Sequence, residues 1–132
     1  MLRYLSLAFP LIFILVFTSQ CTHSYRDGKY IYDKLCKSCH MENGEGLKKM
    51  FPPLAGSDYL KNNYEKLPCI ILLGMDEEIV VNGKTYSRQM PDFPELETHE
   101  VFLLINYINH SWGNDGKYTD FREVEANLQK CN

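Results

Sequence analysis

The sequence has no long run of basic residues, no stretch of about 20 consecutive apolar residues, no internal repeat and no low-complexity segment. With 14 Lys and Arg against 17 Asp and Glu, its formal net charge is -3, which argues against nucleic acid as a partner. The 132 residues are too few for two ordinary domains. What the chain does have is 45% hydrophobic residues, with 9 Tyr and 7 Phe among them, so a packed core is expected.

The five cysteines are an odd number, so they cannot all pair with one another. One stands near the N-terminus, two are close together, and two are far apart in the second half of the chain. In that order they are Cys21, Cys36, Cys39, Cys69 and Cys131. Each group therefore needs its own explanation.

The N-terminal residues have the pattern of an export signal. Arg3 precedes an apolar run from Tyr4 to Phe17, which is shorter than the about 20 residues that a membrane-spanning helix needs. Small residues then lead to Cys21, as at a bacterial lipoprotein cleavage site. We expect a signal peptide over 1–20 and a tether over 21–25, with a lipid on the cysteine; a plain cleaved signal and an uncleaved anchor are the alternatives. All three would place the rest of the chain on the periplasmic side of a membrane.

Cys36-Lys37-Ser38-Cys39-His40 has the spacing Cys-x-x-Cys-His, which indicates attachment of one covalent haem c. Residues three apart on a helical turn lie on the same side, so both thiols can reach the two vinyl groups of one porphyrin. The adjacent histidine can then turn its imidazole under the ring as an iron ligand. The same cysteines could instead form a thioredoxin-like redox pair, supply half of a zinc site, or be structural thiols. Neither a βαβ pattern nor a second ligand pair with zinc spacing accompanies them.

The remaining pattern predicts an all-α fold with one small β-hairpin. Helices are expected from Gly28 to the haem motif, from Ser57 or Asp58, over Cys69–Leu73, and from a Thr98 cap to about Asn109. The hairpin is expected over Val80–Tyr86, with Asn82-Gly83 at its turn. Loops are expected over Phe51–Gly56 and Met90–Pro94, because proline disfavours helix there.

With these residues in order, the chain resembles a class I cytochrome c over about residues 26–114, with 115–132 as a polar C-terminal tail outside that domain. The motifs that carry the resemblance are Gly28 and Tyr32, the Cys-x-x-Cys-His motif, Pro52-x-Leu54-x-Gly56, Met90-Pro91, and Tyr107 followed by Trp112-Gly113-Asn114. The resemblance implies a small fold of three to five helices around a single haem c.

The resemblance also implies roles for individual residues. The Pro52 carbonyl would accept a hydrogen bond from His40, which fixes the orientation of the imidazole ring. Leu54 would pack on the haem. Gly28 and Tyr107 would meet where the first and last helices cross.

Met90 is expected to be the second axial ligand of the haem iron, opposite His40. It lies in a loop, the following proline restricts it to extended conformations, and a helix beyond would anchor it. Met75 is the main rival. The histidine alternatives are His23, His99 and His110.

Two axial protein ligands would leave no position for oxygen or another small-molecule substrate, so the resemblance implies an electron-transfer protein and not an enzyme. We expect an electron carrier of a bacterial respiratory chain, whose haem iron cycles between Fe(III) and Fe(II). Its partners would be a redox donor and a redox acceptor, such as a dehydrogenase, a cytochrome complex or a terminal oxidase. The alternatives are a fixed electron-relay subunit of a quinoprotein dehydrogenase or terminal oxidase, and a small haem enzyme or gas sensor.

Cys69 and Cys131 remain without a role in the haem motif. In an oxidising compartment they could form a disulfide that ties the tail to the second half of the domain. Cys69 lies in an apolar run, so it could equally be a buried free thiol.

Overall fold

The computed structural model describes residues 20–131, and the side chains from residue 24 onwards. The expected signal peptide, apart from Gln20, lies outside the described residues. The side chains of Cys21, the expected lipid attachment site, and of His23, one of the histidine alternatives, lie outside them too. None of the described helices combines the length and the apolar character needed to cross a membrane.

The regular secondary structure of the described residues is helical apart from one small sheet, so the expected fold class is confirmed. Its α-helices are α1 (Gln20–Leu35), α2 (Lys37–His40), α3 (Asp58–Asn62), α4 (Leu67–Leu73), α5 (Thr98–Asn109) and α6 (Phe121–Leu128), and a 3-10 turn over Tyr64–Lys66 precedes α4. These outnumber the three to five expected helices because α2 and α3 are single turns of four and five residues. The antiparallel hairpin consists of β1 (Ile79–Val81) and β2 (Lys84–Tyr86), joined by Asn82 and Gly83, which both have positive φ.

The largest interface between helices is the crossing of α1 and α5. A Cβ atom on Gly28 would lie 2.4 Å from the Leu103 carbonyl oxygen and 2.7 Å from the Tyr107 Cβ, so only glycine allows the two helices to come this close. Tyr32 is fully buried beside this contact, with its ring centroid 5.5 Å from that of Tyr107. The expected contact between Gly28 and Tyr107 is therefore confirmed.

Two helix starts differ from the sequence expectation. Helix α1 begins at Gln20 and not at Gly28; its first turns are polar, so apolar periodicity gave no sign of them. Helix α5 is capped by Glu97 and not by Thr98, because the side chains of Glu97 and Glu100 form a reciprocal capping box. Of the two caps left open for α3, Ser57 and Asp58, the structure has Ser57, whose Oγ accepts a hydrogen bond from the Leu60 N–H at 3.1 Å.

The expectation of a polar tail over 115–132 needs correction. Most of this segment is polar, but it contains helix α6, which packs against α4 and α5. Val124 in α6 is completely buried. The carboxamide of Asn106 in α5 also holds the approach to α6, accepting a hydrogen bond from the Thr119 N–H (2.9 Å) and donating one to the Thr119 carbonyl (3.0 Å).

A disulfide fixes the end of this segment to the domain. Cys69 in α4 is bonded to Cys131, three residues beyond the end of α6, with a Cα–Cα distance of 5.4 Å. Of the two alternatives left by the sequence, the structure therefore has the disulfide. Cys36 and Cys39 are the free cysteines among the residues whose side chains are described.

Candidate functional site

A largely apolar cavity lies between the Cys-x-x-Cys-His motif, the Pro52 loop, α4, the hairpin and α5. The empty volume of the cavity, including its mouth open to solvent, is about 730 Å3. The lining residues are Cys36, His40, Pro52, Pro53, Leu54, Ser57, Tyr59, Leu60, Leu67, Ile70, Ile71, Met75, Ile79, Val81, Met90, Phe93, Leu104, Ile105 and Ile108. An apolar wall with a few polar groups is typical of a cofactor site.

The junction of α1 and α2 places the motif at this cavity. The backbone of the motif forms a helical turn, in which the N–H groups of Cys39 and His40 both donate to the Cys36 carbonyl, at 3.1 and 2.9 Å. Cys36 is buried and lines the main cavity. Cys39 lines a second cavity, which shares His40, Pro52 and Met90 with the first. Both thiols therefore border the same region, as the spacing of the motif predicts.

The His40 ring is held in one orientation by the Pro52 carbonyl, 2.9 Å from Nδ1. A carbonyl oxygen can only accept, so Nδ1 carries the hydrogen and donates it. Burial lowers the pKa of His40, against a smaller opposing effect of the hydrogen bond to Pro52. The imidazole is therefore neutral, and the lone pair of Nε2 is available to a metal. The hydrogen bond expected between His40 and Pro52 is confirmed.

The Pro52 loop is itself fixed from two sides. The N–H groups of Leu54 and Ala55 donate to the Gly44 carbonyl at 2.7 and 2.9 Å. On the other side, the Asn114 carboxamide donates to the Leu54 carbonyl (3.1 Å) and accepts from the Gly56 N–H (2.8 Å). Leu54 consequently lines the cavity, where its expected packing on a haem remains a prediction.

Asn114 is a site-supporting residue that the sequence reasoning missed. In the sequence, Asn114 is only the last residue of the family motif Trp112-Gly113-Asn114, and no contact was expected from it. Its hydrogen bonds reach residues 58 and 60 positions away in the sequence, and a single sequence carries no sign of such distant pairs.

Met90 and Met75 lie side by side at the cavity. Their backbones form an isolated antiparallel bridge, in which Met75 N–H donates to the Met90 carbonyl (3.1 Å) and Met90 N–H donates to the Met75 carbonyl (2.8 Å). His99 and His110 are exposed and do not line the cavity. The structure thus brings both thioethers, and neither of these histidines, to the site.

The structure disfavours the rival readings of the cysteine motif. Burial, with a smaller contribution from Cys39, raises the pKa of Cys36 to about 12, whereas a redox-active thiol needs a lowered pKa. The sheet within the described residues is one antiparallel hairpin, not a βαβ unit. The described residues contain no group of three or more His, Cys, Asp or Glu that could hold a metal ion, as a zinc site would need.

These residues fit a haem c. Two thiols border the same apolar space, a neutral imidazole has its Nε2 free, and thioether sulfur is available from the neighbouring methionines. His and Met are known axial ligands of haem iron in electron-transfer cytochromes.

Comparisons with known proteins agree with the site. The family model for cytochrome c matches residues 25–112. Cytochrome c-552 of Thermus thermophilus is 35% identical over 104 residues, which cover 76% of this chain and 79% of the relative. The cytochrome c subunit of alcohol dehydrogenase (quinone) from Gluconobacter oxydans is 30% identical over 96 residues, 70% of this chain but 20% of that subunit. The corresponding subunit from Gluconacetobacter polyoxogenes is 33% identical over 89 residues, 66% of this chain and 19% of the subunit.

The matched segment contains the cysteine motif, the Pro52 loop and both methionines, and it ends at the turn that follows α5. The chain therefore belongs to the cytochrome c family as a class I member with one covalently bound haem c.

Proposed function

We propose that this cytochrome carries single electrons between redox proteins of a bacterial respiratory chain, held to the periplasmic side of the inner membrane through Cys21. The observation that carries the proposal is the apolar cavity lined by Cys36, Met90 and a His40 ring that the Pro52 carbonyl holds in place. When bound, the haem supplies an iron that alternates between Fe(III) and Fe(II).

The motif residues would fix the cofactor in place. Cys36 and Cys39 would form the two thioethers, so the haem could not be lost by dissociation. His40 would ligate iron through Nε2, and its hydrogen bond to the Pro52 carbonyl would prevent rotation of the ring and increase its basicity. Because its ring is held in this way, His40 would keep the same orientation when the haem gains or loses an electron.

Met90 would supply the sulfur ligand. The antiparallel bridge to Met75 holds its backbone, and Pro91 restricts its conformation. A Met ligand raises the reduction potential relative to a pair of histidines. With both axial positions taken, the iron would have no place for oxygen, peroxide or a substrate. This supports electron transfer over a small haem enzyme or a gas sensor.

The test is Met90→Ala in the holoprotein. We expect the absorption band of the Met–iron(III) bond to disappear and the midpoint potential to fall, because the sulfur ligand is lost. The reduced variant should also bind carbon monoxide rapidly, while the wild type binds it slowly or not at all. Met50→Ala is the control, because Met50 is exposed and should leave the band intact. A band that survives Met90→Ala would assign the sulfur ligand to another methionine, and rapid carbon monoxide binding by the wild type would reject the proposal.

A second candidate role is a fixed relay within a larger oxidoreductase. The similarity to cytochrome c subunits of alcohol dehydrogenase (quinone) favours it, although the chain spans only about a fifth of those subunits. The similarity to cytochrome c-552, which covers 79% of that relative, supports the independent carrier. Purification from native membranes separates the two roles, because a fixed relay would co-purify with a dehydrogenase or an oxidase in constant ratio.

A further inference from the structure

Two methionines, Met75 and Met90, both lie where a sulfur ligand of the haem iron would be needed. Residues directly opposite in an antiparallel pair project their side chains to the same face, with Cβ atoms about 5 Å apart. Met75 and Met90 are such a pair, and both line the two cavities that border His40. The flexible thioether of Met75 therefore lies next to Met90, the proposed ligand. A further contact must determine which of the two sulfur atoms binds the haem iron.

The bridge between the two segments does not by itself make this choice. Gly74 has a φ of +71°, and a Cβ atom on it would lie 2.6 Å from the Met90 carbonyl oxygen. Glycine thus allows the two segments to approach, and the paired hydrogen bonds then fix Met75 and Met90 equally. Pro91 adds a restriction on the Met90 backbone, and the side chains of the two residues also differ in their contacts.

The Met75 sulfur has a partner of its own. The Tyr59 hydroxyl donates a hydrogen bond to Met75 Sδ at 3.7 Å, within the range for sulfur acceptors. Both side chains are partly buried against the hairpin core of Ile79, Val81 and Tyr86. Tyr59 lies in α3, whose start is fixed by the Ser57 cap, so its ring is presented from a rigid turn.

We propose that Tyr59 is a positioning residue that engages the Met75 thioether and thereby leaves Met90 as the single sulfur ligand of the haem iron. The inference rests on the proposed function, because it takes Met90 as that ligand. It assigns Met75 two roles: its backbone holds the Met90 segment, and its sulfur is held by a phenol.

The experiment measures competition for the open position in the Met90→Ala holoprotein. Imidazole binding to the ferric protein is followed optically, with and without Tyr59→Phe, which keeps the ring and removes the hydroxyl. Once released, Met75 should compete with imidazole, so we expect the apparent Kd to rise roughly 2- to 10-fold, the range for loss of one hydrogen bond. An unchanged or lower Kd would overturn the proposal.

Two matched variants identify the competing group. Adding Met75→Leu should remove the rise caused by Tyr59→Phe, because no second sulfur then remains. Tyr86→Phe removes a hydroxyl from the same hairpin core and should leave the Kd unchanged. A rise that persists with Met75→Leu, or an equal rise with Tyr86→Phe, would mean general loosening and would contradict a specific role for Tyr59.

A second measurement serves if the double variant takes up no haem. In Tyr59→Phe alone, proton NMR of the reduced protein should show two axial methionine methyl signals, one of which is missing when Met75→Leu is added. A single signal identical to that of the wild type would overturn the proposal. Failure of the proposed function looks different, because the reduced wild type would then bind carbon monoxide rapidly. Failure of Met90 as the ligand would appear as a Met–iron band that survives Met90→Ala and is lost in Met75→Leu.

Discussion

Asn114 joins three backbone groups from separate parts of the chain. Its Nδ2 donates to the carbonyls of Leu54 (3.1 Å) and Ile108 (2.9 Å), and its Oδ1 accepts from the Gly56 N–H (2.8 Å). The end of α5 is thereby tied to the loop that carries Pro52, and Pro52 in turn orients His40. A single amide side chain thus supports the imidazole without touching it.

Asn114→Ala should therefore destabilise the holoprotein. It leaves three backbone groups without these partners, and each lost hydrogen bond contributes about 0.5–1.5 kcal/mol. We expect the free energy of unfolding in urea to fall by about 1.5–4.5 kcal/mol. The exposed Asn43, replaced by alanine, is the matched control and should change it by less than about 0.5 kcal/mol. Equal stability of the two variants would contradict the supporting role of Asn114.

At this scale the sequence predicts the contacts for which the family resemblance implies a partner and misses those for which it implies none. The hydrogen bond from His40 to the Pro52 carbonyl was expected and is present. The contacts of Asn114 and of Tyr59 were not expected, because they depend on where distant loops come together. A tyrosine in a short helix is an ordinary core residue until its neighbour is known to be a methionine sulfur.

Helix α6 supports the haem cavity indirectly, through the two cavity-lining helices α4 and α5. It packs against α4, and the disulfide joins Cys69 of α4 to Cys131 beyond the end of α6. The next two residues of α4, Ile70 and Ile71, line the cavity. The C-terminal segment therefore reinforces one wall of the site.

Removal of the disulfide should weaken this reinforcement. The bond closes a loop with a sequence separation of 62 residues, and cross-links of this kind stabilise by about 2–4 kcal/mol, chiefly by restricting the unfolded chain. We expect Cys69→Ser/Cys131→Ser to lower the free energy of unfolding in urea by about that amount. The Met–iron band should be retained under native conditions, because α6 is still held by the hydrogen bonds of Asn106 to Thr119.

A thiol assay by mass spectrometry provides the control for this prediction. The purified wild type should contain no alkylatable cysteine at positions 69 and 131 before reduction, and two afterwards. Two free thiols in the untreated protein, or a double variant as stable as the wild type, would show that the bond does not stabilise the fold.

The elements that the sequence predicts well are those with strong local signals. The Asn82-Gly83 turn and the Ser57 cap carry such signals, and both are present. Helix α6 was missed because its composition is polar and its apolar residues are few, so the segment looked like a solvated tail. Only its position against α4 and α5 shows that Val124 belongs to the core.

On the scale of the whole molecule, one helix connects Cys21, the expected lipid attachment site, with the haem motif. Helix α1 begins at Gln20 and runs to Leu35, directly before Cys36. At about 1.5 Å per residue, the 15 steps from Cys21 to Cys36 span roughly 22 Å. The segment expected to be a tether over 21–25 is therefore helical, and a lipid on Cys21 would hold the cavity at a short distance from the bilayer.

Cys21→Ser should release the cytochrome from the membrane. A lipid-modified cysteine contributes acyl chains whose burial stabilises membrane association by about 0.8 kcal/mol per CH₂, and serine cannot accept them. We expect the haem-containing protein to move from the membrane fraction to the soluble periplasmic fraction when cells are fractionated. Thr22→Ser, at the next position, is the control and should stay with the membrane. The mass of the wild-type N-terminal peptide completes the test, and we expect it to include a diacylglycerol on Cys21. If Cys21 is unmodified and the Cys21→Ser variant stays in the membrane fraction, an uncleaved N-terminal anchor holds the protein there.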